Sequence, residues 1–307
     1  MEILAENEEV GKRLDVFLLG RFPNLSRSNI QNNLKLENSY LLRKGKKIYK
    51  AGEILKRGDV VFFNPLEPKE VSTKPQDVPF EIVYEDDDLA VVNKPQGVVV
   101  HPCLSCPEGT LVNGLLLKIK NLSSINGEIR PGIVHRLDKE TCGLMLIAKN
   151  DFAHANLSKQ ISEKTCKRNY LALIEGAFKQ PEGSVETLIG RDRKDRKKMA
   201  AFPLSDTTKG LKRAKTNYRT VEYFSGYSLV EFSLETGRTH QIRVHSKYLN
   251  HPIVGDLTYG GAKKFGLSGQ FLCAYKISFI HPRTKENLEF KIRPPENFLK
   301  ILNNLKK

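Results

Sequence analysis

The stretch Arg130-Pro-Gly-Ile-Val-His-Arg-Leu-Asp-Lys-Glu-Thr-Cys-Gly-Leu-Met-Leu-Ile-Ala-Lys149 changes character halfway along. Its first half is turn-like and rich in His, Arg, Asp and Thr. Its second half, 144–148, is a continuous apolar run of strand length. Asp138 therefore falls on a polar loop at the edge of a sheet, braced by Gly132 and Gly143. Taken by itself, such an Asp could simply hydrogen-bond its own turn. Its meaning depends on what surrounds it.

On either side, strand-like runs recur at 80–84, 89–92, 170–175, 218–224, 227–234, 241–245 and 288–292. Helical periodicity appears at 111–119, 152–163 and 243–249, the last overlapping a strand reading. Many strands with few helices of crossover length predict an α+β fold, a mixed and largely antiparallel sheet with flanking helices and basic loops. Toward the N-terminus, Pro65, Pro68, Pro75 and Pro79 fall without apolar periodicity and predict an extended connector over 66–79. The connector separates a small domain, 1–65, from a large one, 80–307.

The small domain is itself α+β. A helix is expected from about residue 12, apolar at Leu14, Phe17 and Leu18 and ending at Pro23. A second follows Ser26 as N-cap, with Ile30 and Leu34 on one face. Strands are expected near 47–49 and 60–63, and Arg13, Arg27, Arg43, Lys44, Lys46 and Lys47 make the whole basic.

Charge points to the partner. Lys plus Arg number 50 against 35 Asp plus Glu, a formal net charge of +15, and such an excess attracts a polyanion through counterion release. Between residues 164 and 219, 15 basic residues face 6 acidic ones, a net of +9 that is densest at Arg191-Asp-Arg-Lys-Asp-Arg-Lys-Lys198. On charge alone that run is a solvated loop; beside a carboxylate pocket it would hold a polyanion in register. No apolar run reaches the roughly 20 residues of a membrane span, and the acidic N-terminus lacks the order of a secretion signal. Five cysteines do not form a disulfide framework, and the lone pair Cys103 and Cys106 reads as reduced thiols more readily than as a zinc site. The chain is expected in the cytoplasm.

Four segments, in order, resemble the RluA-type pseudouridine synthase family. The central one is His135-Arg-Leu-Asp138 with Thr141 and Gly143, where Cys142 replaces the family's usual Ser. The others are Asn93-Lys-Pro-Gln-Gly-Val-Val-Val-His-Pro102, Lys167-Arg-Asn-Tyr-Leu-Ala172, and Glu235-Thr-Gly-Arg-Thr-His-Gln-Ile-Arg-Val-His245, continued by His251-Pro-Ile-Val-Gly-Asp256 and Tyr259-Gly260. The resemblance covers about residues 80–295. The first 65 residues resemble the RNA-binding domain of bacterial ribosomal protein S-four at Lys12-Arg-Leu-Asp15, Leu25-Ser-Arg-Ser28 and Leu55-Lys-Arg-Gly-Asp59, and less so between them. A generic capping subdomain is the other reading.

The resemblance implies an isomerase that breaks the N1–C1′ bond of uridine in RNA, turns the uracil and rejoins it through C5. Neither cofactor nor metal is required. Asp138 would be the catalytic carboxylate, as nucleophile or as base. Arg243 would orient it through paired hydrogen bonds, and Tyr170 would offer a flat face and a hydroxyl. Ile242 would wall the uracil. Arg136 would fill the stack vacated by the extruded nucleotide, or contact a phosphate. His135, Thr141, Arg238 and His240 complete the expected substrate-binding set, the histidines orienting loops rather than binding metal. Members with the appended module commonly act on large-subunit ribosomal RNA; transfer RNA, or a non-catalytic ribosome-assembly role, are the alternatives. No DNA or membrane partner is expected, and the chain is read as a monomer.

Overall fold

The computed structural model describes residues 2–5, 7–22, 27–35, 37, 39–64, 73–125 and 130–306. Pro23, Ser26, Pro65, Pro68 and the first part of the expected connector lie outside the described residues. The chain divides into two units, 1–70 and 71–307.

In the first unit the elements are β1 (Glu2–Leu4), α1 (Leu14–Arg21), α2 (Arg27–Lys35), β2 (Tyr40–Arg43), β3 (Lys46–Ile48) and β4 (Val60–Phe62). The strands form an antiparallel sheet in the order β1-β4-β2-β3. Leu14, Phe17 and Leu18 of α1 meet Ile30 and Leu34 of α2 over Leu41, Val61 and Phe63. The i, i+3, i+4 spacing of the helical residues puts them on one face, which is what buries them together. Arg43 is not a free cation: it donates to both oxygens of Asp59 and to Glu53. Lys44, Lys46 and Lys47 are exposed.

The second unit runs β5 (Glu81–Glu85), β6 (Leu89–Lys94), α3 (Leu111–Lys118), β7 (Cys142–Ala148), α4 (Asp151–Ser162), β8 (Lys167–Glu175), β9 (Glu182–Arg191), β10 (Met199–Phe202), β11 (Lys212–Phe224), β12 (Tyr227–Leu234), α5 (Gln241–Tyr248), β13 (Leu272–Ile280), β14 (Asn287–Lys291) and α6 (Glu296–Leu305). Its ten-stranded sheet has the order β10-β9-β11-β12-β8-β13-β7-β6-β5, with β14 also on β13. The β7–β13 pair is parallel, at Cys142–Cys273 and Gly143–Ala274, and the other pairings described are antiparallel. This is the mixed, largely antiparallel α+β sheet expected.

β7 is the strand anticipated at 144–148, and its unbroken apolar character has a structural cause. Cys142, Met145 and Ile147 enter the core shared with α3 and α6, whereas Leu144, Leu146 and Ala148 enter one shared with α4. A strand buried on both faces loses its polar alternation. At its start, Gly143 has φ of +116°, and a Cβ there would lie 2.3 Å from the Ala274 carbonyl oxygen. Only glycine permits the two parallel strands to approach so closely. The loop bearing Asp138 enters the sheet at this point.

One expectation needs correction. Residues 241–245 are not a strand: they open helix α5, in agreement with the helical reading over 243–249, and Gln241 to Ser246 are all buried. The basic run 191–198 joins β9 to β10, whose partners are Arg191 and Met199. Its acids shape the turn, Asp192 accepting from the amides of Lys194 and Asp195, and Asp195 from that of Lys197. Lys194, Arg196 and Lys197 are exposed.

Candidate active site

Asp138 and Arg243 lie 105 positions apart and meet in the fold. Arg243 Nη1 donates to Asp138 Oδ2 at 3.0 Å, while its Nε and Nη2 donate to the two oxygens of Asp256 at 2.6 and 2.8 Å. One guanidinium thus clamps two carboxylates, as its planar fork allows. The two are not equivalent: the Asp256 side chain is 1% exposed and that of Asp138 17%. Burial by itself would lower the pKa of Arg243, but hydrogen bonds and charge from Asp256, with Asp138 added, hold it above its usual value.

The second oxygen of Asp138 faces His240, with Nε2 at 3.8 Å from Oδ1. His240 sits in the left-handed region, φ +57°, at the N-cap of α5, a conformation a branched or bulky residue adopts only when its surroundings demand it. Its Nδ1 is 2.7 Å from the Tyr259 hydroxyl, which itself accepts from the Met199 amide. With that lone pair engaged, the hydroxyl proton is free to donate to Nδ1, leaving the imidazole proton on Nε2 toward Asp138. Burial lowers the pKa of His240, so the ring is a neutral donor. The loop that delivers it is tied by Gln241, whose amide oxygen accepts from Thr236 Oγ1 and the Arg238 amide and whose nitrogen donates to the Lys215 carbonyl and Thr216 Oγ1.

A cavity of about 340 Å³ opens beside this pair, and all nine residues expected at the site line it: Asp138, Tyr170, Arg243, Arg136, Ile242, His135, Thr141, Arg238 and His240. They are not alike. Tyr170 is 5% exposed, and burial raises the pKa of its phenol, which keeps the hydroxyl protonated. Thr141 is turned to support: its hydroxyl accepts from Gln270 and its amide donates to the Asp138 carbonyl. His135 Nε2 accepts from the Leu146 amide, fastening the loop to β7, and burial brings its pKa down to about 3. Arg238 Nε donates to the Arg213 carbonyl. Arg136 is exposed.

Three contributors escaped the sequence reading. Asp256 was visible only as the end of His251-Pro-Ile-Val-Gly-Asp256, and Tyr259 as part of the segment after it. Lys94 is fully buried, its ammonium donating to the carbonyls of Pro95, Val98 and Lys139. It fastens the segment after β6 to the residue following Asp138, and burial pulls its pKa down to about 8. A lysine before Pro-Gln-Gly is the only signal it left. His245, in contrast, lies away from the cavity, bonded to Thr187 and Thr216.

An arginine-braced carboxylate thus stands on an open, cation-rimmed cavity set in this mixed sheet. The chain belongs to the RNA pseudouridylate synthase family, whose pattern matches residues 88–248. It is 41% identical to the RNA pseudouridine synthase YlyB of Bacillus subtilis, over 100% of this chain and 98% of that one. It is 38% identical to the ribosomal large subunit pseudouridine synthase D of Zymomonas mobilis, over 96% and 94% of the two chains. The solved structure of human RNA pseudouridylate synthase domain containing 1 aligns with a TM-score of 0.57 and 27% identity, covering 75% of this chain and 87% of that one. The protein is an isomerase that acts on uridine in RNA.

Proposed function

We propose that this enzyme converts uridines of large-subunit ribosomal RNA to pseudouridine, with Asp138 as its catalytic carboxylate. The observation that carries the site is the partly exposed Asp138 carboxylate, held by Arg243 at 3.0 Å on the wall of the cavity. Oδ2 is engaged by the guanidinium, which leaves Oδ1 to act at the ribose. The N1–C1′ bond breaks, the uracil turns, C1′ joins C5, and N1 becomes protonated as C5 loses its proton. Atoms and oxidation state balance within the nucleotide. Tyr170 and Ile242 sandwich the uracil, and the raised phenol pKa suits a hydrogen-bond donor. Arg136 enters the space left by the extruded nucleotide.

The ribosomal reading draws on the names of the Zymomonas relative and of a Yersinia pestis relative, also a ribosomal large subunit pseudouridine synthase D, 36% identical over 99% of this chain. Residues 1–65 serve in RNA capture, with Lys44, Lys46 and Lys47 free to meet phosphates. The enzyme works as a monomer in the cytoplasm. Among the described residues no helix is long and apolar enough to cross a membrane.

The decisive variant is Asp138→Asn, which keeps the shape of the side chain. It abolishes isomerisation and leaves RNA affinity within about threefold, since the amide still occupies the same place. Deleting the gene and mapping modified positions identifies the uridine; loss confined to transfer RNA would transfer the enzyme to that substrate.

A further inference from the structure

Arg168 is a buried cation with nothing opposite it. It lies on β8 two positions before Tyr170, so both side chains project from the same face of the strand, and both line the cavity. The residue is 6% exposed. Its Nε is enclosed and has no hydrogen-bond partner, and the guanidinium has neither hydrogen bond nor ion pair among the described residues. The other buried arginine described, Arg243, is paired with two carboxylates. An enclosed donor without a partner carries a desolvation cost, and a ligand that reaches the guanidinium would remove it.

The surroundings say what kind of ligand. The acid on that side of the cavity, Glu235, is already held by Lys215 at 2.8 Å and lies 3.9 Å from Lys164. Lys164, Arg136 and Arg238 line the same cavity, so the local balance is cationic. A neutral uracil carbonyl would leave that charge standing, whereas a phosphodiester would cancel it. The geometry agrees: alternate residues on one strand face stand about 6–7 Å apart, roughly one ribose, so a base against Tyr170 brings a backbone phosphate to Arg168. His135 Nδ1, the nitrogen left with the imidazole proton because Nε2 accepts from Leu146, is a second enclosed donor without a partner in the same wall.

We infer that Arg168 is the phosphate-binding residue of the active site, taking a phosphodiester that flanks the extruded uridine. This rests on the Asp138 cavity being the uridine site. Binding there neutralises the one buried unpaired guanidinium described, which couples capture of the nucleotide to completion of the pocket wall.

The test uses the full-length enzyme and synthetic RNA stem-loops carrying the mapped uridine, with ordinary linkages or with one neutral methylphosphonate 5′ or 3′ to it. Arg168→Gln weakens binding of the ordinary stem-loop by about ten- to a hundredfold, the range for a charge-assisted hydrogen bond, and Arg168→Lys restores part of it. One of the two neutral linkages weakens wild-type binding comparably and leaves the Gln variant unaffected. Losses that multiply at both linkages would overturn the assignment. Folding is checked with Arg168→Met, whose Tm equals or exceeds that of wild type because an unpaired charge has been removed from the interior; a Tm lower by several degrees with normal RNA affinity would make Arg168 a structural residue. Asp138→Asn run alongside separates the two readings: activity in that variant discards the site itself, whereas an inactive Asn variant with multiplying Arg168 losses discards the phosphate interaction alone.

Discussion

At the scale of single residues, Arg243 is shared between two carboxylates. Asp256 takes two of its nitrogens and Asp138 one, so the enclosed carboxylate fixes the guanidinium and the guanidinium fixes the exposed carboxylate. Asp256→Asn removes half of a buried ion pair, which costs about 3–5 kcal/mol, and it releases Arg243 to turn. A lowered Tm and a drop in kcat with little change in KM are expected; wild-type turnover would mean that Asp138 needs no such anchor. Acid acts through different side chains. Burial holds His135 at about 3 and His245 at about 4, both below the ordinary imidazole value. Below pH ~6.5 the unfolded chain takes up protons that the folded protein refuses. The stability these rings contribute is complete above that pH and is lost as pH falls toward 4. Tm measured from pH 7.5 to 4.5 should decline over this window, and His245→Gln should flatten the decline; an unchanged slope would remove His245 from the account.

Among elements, the β9–β10 turn and helix α5 show opposite relations between sequence and structure. The turn's acids hold its backbone while Lys194, Arg196 and Lys197 face solvent, a division suited to meeting phosphates. Neutralising Lys194, Arg196, Lys197 and Lys198 should reduce the slope of log K against log salt by about 0.7–0.9 for each phosphate left without its cation; an unaltered slope would make the run plain surface. The strands on either side, Glu182–Arg191 and Met199–Phe202, were not read from the sequence. α5 reads both as strand over 241–245 and as helix over 243–249; the helical reading holds, and six consecutive buried residues left the start of the helix ambiguous. β13, Leu272–Ile280, was missed altogether: its first residues are buried without alternation, and the alternation that follows is short, with Lys276 and Ser278 half-buried between Tyr275, Ile277 and Phe279. Legible were β7, whose apolar run needed only its length, and α1 and α2, whose spacing is helical. Asp138, Tyr170 and Arg243 were legible through the order of their segments. Their partners Asp256 and Lys94 were not, because a bidentate clamp and three converging carbonyls are facts of folding that no local pattern encodes.

For the whole molecule, the two units have separate cores. The apolar residues of the first, from Ala5 to Phe63, form one cluster, and those of the second form others. Removing residues 1–65 should therefore leave the Tm of the large unit within a few degrees. Turnover on a minimal stem-loop should persist, with weaker capture or altered site choice on long RNA. Loss of turnover on a stem-loop that still binds would assign the small unit a part in the chemistry.

The parallel β7–β13 pairing has a temporal implication. Its strands are joined through Cys142–Cys273 and Gly143–Ala274, and Gln96 reaches the Gln270 carbonyl across 174 positions. Pairings so distant along the chain close late in folding. A nascent chain leaving the ribosome carries Asp138 long before it carries Arg243, Asp256 or β13. The Asp138 carboxylate therefore gains its clamp only once residue 256 has emerged, and a chain interrupted before residue 243 would carry it without a guanidinium partner.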